Sequence, residues 1–239
     1  MYKERAYRSW TRSGELVFFE VIERQTDLAV YASRNLERQA RAAALNYRRE
    51  LKEYIKHDPG FYSSLEPVDV EAGSPEIVKA MAAAGRKAGV GPMAAIAGAV
   101  AEFVGRDIGR FSDELIVENG GDIFLRTAKK RSLGIYAGED SPFTGKLVLE
   151  VGPATEGLGV CTSSGTVSHS LSFGKADAVV IIAKDTALAD AVATATCNMV
   201  KCVEDIKKSI EFARSVEGVT GVVAIMRDKL GNWGDVRLV

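Results

Sequence analysis

Cysteine is sparse in these 239 residues. Cys161, Cys197 and Cys202 make an odd count with no CxxC pair, which excludes a disulfide scaffold and a structural zinc site. Histidine is scarcer still. With only His57 and His169, neither a histidine-rich metal centre nor an HExxH site can be built. No apolar run approaches the roughly 20 residues of a membrane-spanning helix. The first ten residues, MYKERAYRSW, carry charge from the third position and lack an apolar signal region. A formal net charge of −1 gives no global pull towards nucleic acid or an anionic membrane. These absences predict a cytoplasmic protein with neither a nucleic-acid nor a membrane partner.

What is present is ordinary for a globular chain: 46% hydrophobic and 26% charged residues, enough to bury a sizeable core. No linker, low-complexity run or repeat divides it, so residues 1–239 are read as one domain. ELVFFEVIERQTDLAVYA, 15–32, has two β-rich runs around a polar break and predicts a hairpin. Helical spacing runs from Asn35 to Tyr54, followed by a loop at HDPGFYSSLEP. Ser74-Pro75-Glu76 has the form of a helix start, with Ser as cap and Pro at the first helical position. PMAAIAGAVAEFVG, from Pro92, predicts a buried helix that lets another backbone come close. Asn119-Gly120 is a strong hairpin signal between two β-type runs. Further strands are expected at 133–137, 146–151, 159–162 and 178–182, one long helix at about 187–214, and a closing hairpin that turns at 229–232. Strand pairs alternating with helices fit an α+β fold.

The long helix carries one acid in a run of small apolar residues, ALADAVATAT, 187–196. Its apolar stripe steps through Leu188, Val192, Ala195 and Met199. Asp190 and Thr194 fall on nearly the opposite side, one turn apart, and Asn198 continues their row. Alanines flank the row, so it should face an enclosed site. An Asp and a Thr one turn apart offer two hard oxygen ligands for a divalent cation such as Mg²⁺. The alternative is an acid that caps a helix N-terminus.

VCTSSGTVSHSLSFGKADA, 160–178, is rich in hydroxyls and has glycines at 165 and 174. Such a loop can wrap phosphate or ribose. Within it, His169 is a candidate proton shuttle and Cys161 a candidate nucleophile, against the plainer readings of a structural histidine and a small buried hydrophobe. The helix start at VGPMAA could hold a phosphate on its free amides, although tight packing explains it as well. GVGPMA, 89–94, imitates a dinucleotide fingerprint without the required strand–turn–helix context. FTGKL, 143–147, lacks the hydroxyl residue of a phosphate loop.

NGGDI (119–123), TSSG (162–165) and ADAVAT (189–194) resemble, in order, the landmarks of the ApbE flavin transferase superfamily, whose members attach FMN from FAD to a protein threonine. The closer resemblance is to a shorter branch of archaea and anaerobic bacteria, and it runs from about Tyr7 to Gly221. It implies an ApbE-like fold related to the T-fold, with two similar halves, antiparallel sheets and buried helices. It also implies Mg²⁺ on Asp190 and Thr194, and FAD or FMN against Asn119, Gly120, Gly121, Thr162, Ser163, Ser164 and Gly165. The family's HxxDPxTG segment is missing. For this branch the resemblance implies a second role, as an accessory protein in sulfide assimilation to homocysteine. Protein partners in sulfur assimilation would be needed, and Cys161 would carry sulfur. A homo-oligomer is compatible with either role.

Overall fold

The computed structural model describes residues 15–167 and 172–239. The chain begins with strands β1 (Val17–Glu23) and β2 (Thr26–Ala32). Helices α1 (Glu37–His57), α2 (Pro59–Ser63) and α3 (Glu76–Ala88) follow, then a 3₁₀ turn at Pro92–Ala95 that leads into α4 (Ile96–Gly109). Strands β3 (Leu115–Asn119), β4 (Asp122–Thr127), β5 (Arg131–Gly134), β6 (Val148–Val151), β7 (Ala154–Ser163) and β8 (Ala178–Ala183) come next. Helices α5 (Thr186–Met199) and α6 (Asp205–Ser215) precede β9 (Val219–Met226), β10 (Lys229–Gly234) and β11 (Arg237–Leu238).

Eight strands form one sheet in the order β1-β2-β3-β4-β7-β8-β9-β10, and every neighbouring pair is antiparallel. Each half of this sheet is two strands, an insertion of helices, then two more strands. The halves join where β4 pairs with β7. Helices cover one face of the sheet; the small sheet β11-β6-β5 covers part of the other. This is the α+β arrangement with antiparallel sheets that the sequence predicts.

Burial follows from the layering. In β8, Val179 and Ile181 face the helices while Val180 and Ile182 face the small sheet, so AVVIIA is apolar throughout, as a doubly covered strand must be. The edge strand β1 alternates. Phe19 and Val21 turn to the helices, whereas Phe18, Glu20 and Ile22 are exposed.

Several boundaries differ from the sequence reading. The long helix is two, α5 and α6, because Val200 is extended and its carbonyl accepts from Lys175 N–H at 2.8 Å. Asp205 Oδ2 takes the amides of Lys201 and Cys202 at 2.9 and 3.0 Å and fixes the turn. The apolar stripe runs on because both helices lie on the same sheet face. Pro75, not Ser74, precedes the first residue of α3, and Ser74 Oγ caps nothing. A short helix, α2, interrupts the loop after α1, with Asp58 Oδ1 capping Gly60 N–H at 3.0 Å. The last hairpin turns at Arg227 and Asp228, two residues earlier than expected.

Small residues are needed where α5 starts. A Cβ on Gly159 of β7 would stand 2.5 Å from Thr186 Cα, and one on Gly98 of α4 would stand 2.5 Å from the Thr186 carbonyl oxygen. The first turn of α5 is thus wedged between two glycines. Gly159→Ala is expected to destabilise the protein by about 1–3 kcal/mol through overpacking, measured as a lower urea midpoint with an unchanged slope.

Candidate functional site

Helices α4 and α5 both begin without a side-chain cap of their own, although both starts are buried. Each supplies the other's. Asp190 Oδ2 on α5 accepts from Gly98 N–H at 2.8 Å, and the Ala97 amide also donates to this carboxylate. Glu102 Oε2 on α4 accepts from Thr186 N–H at 2.7 Å and Ala187 N–H at 3.2 Å, while its other oxygen pairs with Arg106. The two helices are antiparallel neighbours that exchange caps and satisfy the orphan donors of both first turns. Asp190 therefore does cap a helix N-terminus, but another helix's. At the start of α4 the Ala97 and Gly98 amides are taken by it.

Asp122 opens β4 on the helix-facing side, two residues before Phe124, which packs under Gly105. It is buried. The Thr162 amide donates to it, and the Cys161 thiol lies within hydrogen-bonding reach of it while standing 3.4 Å from the Thr186 carbonyl oxygen. Asp122 Oδ1 has no partner among the described residues. Burial above all, then the neighbouring Asp190, push Asp122 well above the usual carboxylate range. Burial pushes Asp190 up to about 7, against the pull of the Gly98 and Ala97 amides. Cys161 is fully buried; burial, followed by Asp122 and Asp190, hold it as a neutral thiol. A nucleophile or sulfur carrier needs an accessible thiolate, and Cys161 instead braces the carboxylate cluster.

The glycine hairpin closes the same cluster. Asn119 pairs with Asp122, leaving Gly120 (φ 71°) and Gly121 (φ 106°) as a two-residue turn. Asn119 Nδ2 donates to the Ala97 carbonyl at 3.1 Å, which ties the hairpin tip to the start of α4. Glu118 Oε1 accepts from Gly121 N–H at 2.8 Å.

From Asp190, α5 climbs through Thr194 to Asn198, whose Oδ1 accepts from Phe173 N–H at 2.7 Å. There the hydroxyl-rich loop is fastened. Ser163 reaches the Cys197 thiol, Gly165 packs on the backbone of Gly174, and Gly174 packs on Cys197. Ser164 Oγ is spent on its own turn, accepting from Thr166 and Val167 amides at 3.1 and 2.9 Å. Thr162 contributes its amide; strand alternation puts its side chain on the opposite sheet face, with Val160. His169 lies outside the described residues.

Asn119 and Asp190 thus meet at the start of α4, while Ser163 and Gly165 lie with Cys197 and Gly174 near the end of α5. Two acids that the sequence reading passed over complete the arrangement, Asp122 and Glu102. Their signal was the one that marked Asp190: a lone carboxylate in an apolar element. Glu102 is the only acid in PMAAIAGAVAEFVG, and Asp122 shares Phe124's strand parity.

A family model described as AbpE bacteria matches residues 8–228. The chain belongs to that family. Its relatives include the UPF0280 protein of Methanocaldococcus jannaschii, 43% identical over 204 residues that cover 83% of this chain and 82% of the relative. Another is the UPF0280 protein of Methanopyrus kandleri, 39% identical over 221 residues, 90% of this chain and 89% of that one. Among solved structures, the flavin transferase ApbE of Vibrio cholerae superposes with a TM-score of 0.59 at 12% identity, covering 92% of this chain and 97% of that one. The apo flavinyl transferase ApbE of Pseudomonas stutzeri gives 0.54 at 13%, covering 92% and 94%. At such identities these structures establish the ApbE fold alone. No single helix among the described residues is long and apolar enough to cross a membrane.

The buried carboxylate pair titrates with a definite sign. Asp190 binds its proton more tightly folded than unfolded, so the native state holds more protons between pH 4 and 7 and loses stability as pH rises through that window. In metal-free protein the contribution of Asp190 to stability is expected to be smaller at pH 8 than at pH 4.5. Asp190→Asn, which keeps an acceptor for Gly98, should flatten much of that slope in urea titrations across the range.

Proposed function

We propose that the protein is a Mg²⁺-dependent enzyme of the ApbE type that binds a flavin nucleotide and transfers its FMN moiety to an acceptor hydroxyl. The observation that carries this reading is the pair of buried carboxylates, Asp122 and Asp190, with Asp122 Oδ1 unpartnered. Two adjacent buried acids are stable with a proton or a cation between them. Among the described residues, no three His, Cys, Asp or Glu side chains are arranged to hold a metal ion, so a cation here needs oxygen from elsewhere. Thr194 supplies a half-buried hydroxyl one turn from Asp190 that makes no hydrogen bond among the described residues. Backbone carbonyls and ligand phosphates would complete the hard-oxygen shell that Mg²⁺ favours. The donors fit.

In this reading Asp122, Asp190 and Thr194 hold the cation, which supplies neutralisation of phosphate charge during transfer. The Gly120–Gly121 turn has no side chains, so a nucleotide can approach the backbone between it and the 163–165 loop. Phe173 is exposed and fixed by Asn198, and it offers an aromatic face beside that loop. Glu102 and Arg106 keep α5 in register and touch no ligand.

FAD should quench on binding to micromolar protein with Mg²⁺, and incubation with a threonine-bearing acceptor peptide should release AMP. Mg²⁺ should stabilise the protein by roughly 1–3 kcal/mol at saturation, more at pH 8 than at pH 5, and Asp122→Asn and Asp190→Asn should each remove that gain. Absence of both FAD binding and a Mg²⁺-dependent shift in Tm would sink the proposal.

A further inference from the structure

A second concave feature lies outside the carboxylate site, between the β1–β2 turn and α1. The groove has a volume of 310 Å³ and is open to solvent. Arg24 enters it from the turn; Arg48, Arg49, Lys52 and Lys56 enter from successive turns of α1. Two acids share the lining, Glu23 and Glu53, and Glu23 is already paired with Arg41 at 2.5 Å. Among the described residues none of the five cations is in an ion pair. Arg48 bonds only neutral groups, Thr26 Oγ1 at 2.6 Å and Gln25 Oε1 at 2.9 Å, and Arg49 bonds Asn46 Oδ1 at 2.6 Å. Five cations face two acids, one of them already committed to Arg41, so the groove keeps an excess of positive charge that a bound anion would relieve beyond solvent screening. Arg24 is also held at φ 57°, a left-handed angle that a non-glycine residue adopts at a cost.

The groove's position gives it a use. Glu23 pairs with Thr26 across the first turn, and Leu28 pairs with Asn119. The β1–β2 turn and the Gly120–Gly121 turn are therefore adjacent tips at the same end of the sheet, about 10 Å apart at the usual strand spacing. A chain lying in the groove can reach the carboxylate site within a few residues.

We propose that this groove docks an extended acidic segment of the protein acceptor. From Leu45 to Lys56 the lining covers roughly 16 Å of helix, too long for one phosphate. Arg48, Lys52 and Lys56 recur every four residues, about 6 Å apart, close to the spacing of alternate side chains on an extended peptide, about 7 Å. Leu45, which is exposed, gives an apolar foothold at one end. A nucleic-acid strand fits less well. Among the described residues the lining contains no aromatic residue for base stacking, and Glu53 disfavours an unbroken run of charge where a peptide can place a neutral residue. The fate of the docked segment rests on the transfer reading above; the docking itself does not.

Fluorescence anisotropy of a fluorescein-labelled peptide of alternating Glu and Ser residues, titrated with the full chain, tests this. Micromolar binding that weakens steeply with salt is expected. Lys52→Glu combined with Lys56→Glu should weaken it at least about tenfold while FAD quenching and Tm stay unchanged, since neither residue touches the carboxylate site. Peptide binding by a chain that fails to bind FAD would support the groove and overturn the flavin reading. Equal peptide affinity in the double variant, no binding at about 50 mM salt, or tighter binding of an oligothymidylate of equal charge would each overturn the docking proposal.

Discussion

The exchange of caps between α4 and α5 is the interaction on which the rest of this molecule depends. Two buried helix starts present amide donors that have no intrahelical partner, and leaving such a donor unmet costs about 1–3 kcal/mol each. Serine or aspartate caps within each helix would have met them locally. The chain instead spends one carboxylate from each helix on the other, so that neither start is satisfied unless both helices are in place. Since α4 belongs to the first half of the sheet and α5 to the second, this exchange binds the halves more specifically than apolar burial can. The glycines follow from it. A carboxylate as short as Asp190 reaches across only if the backbones nearly touch, and Gly98 permits that approach, while Gly159 lets β7 close on the same turn of α5.

The same exchange puts acid where acid is unwelcome. Glu102 is repaid by Arg106 and two amides. Asp190 has its amides but no cation, and it stands beside Asp122, which has a thiol, one amide and an empty oxygen. Asp122 and Asp190 have no cationic partner among the described residues, and they are neighbours. Packing alone would favour an amide or an apolar residue at either position. Local misfit of this kind, in an otherwise consistent core, marks where a structure has been shaped by something besides stability.

Much of this was legible in the sequence because it rests on local rules. The Asn119–Gly121 hairpin needs left-handed residues and has glycines. The β8 run is apolar throughout because it is covered twice. The row Asp190, Thr194, Asn198 follows from 3.6 residues per turn. What the sequence hid was long-range. Nothing local says that Asp190 caps residue 98 or that Asp122 meets Asp190, since those pairings come from the strand order β4-β7 and the antiparallel packing of α4 on α5. The break at Val200 was hidden for a related reason. The apolar stripe keeps its phase across it because one sheet face lies beneath both helices, and the bonds that stop the helix come from Lys175 and Asp205. Side-chain direction was hidden as well. Thr162 and Ser164 look like ligand hydroxyls in a string of polar letters, yet one faces away and the other caps its own turn.

A polar row on a buried helix face usually has one purpose along its length, but here three successive turns of α5 have three. Asp190 fastens a neighbouring helix, Asn198 fastens a loop, and Thr194 between them fastens nothing among the described residues. The two outer residues fix the geometry around the middle one, since α4 cannot shift without breaking the bond to Asp190, nor the Phe173 backbone without breaking the bond to Asn198. Rigid flanks with an uncommitted oxygen at the centre are what pre-organised recognition requires. An acid and an amide with structural duties thus leave the hydroxyl and the spare oxygen of Asp122 as the groups free to meet a ligand, at the seam where the two halves of the sheet join.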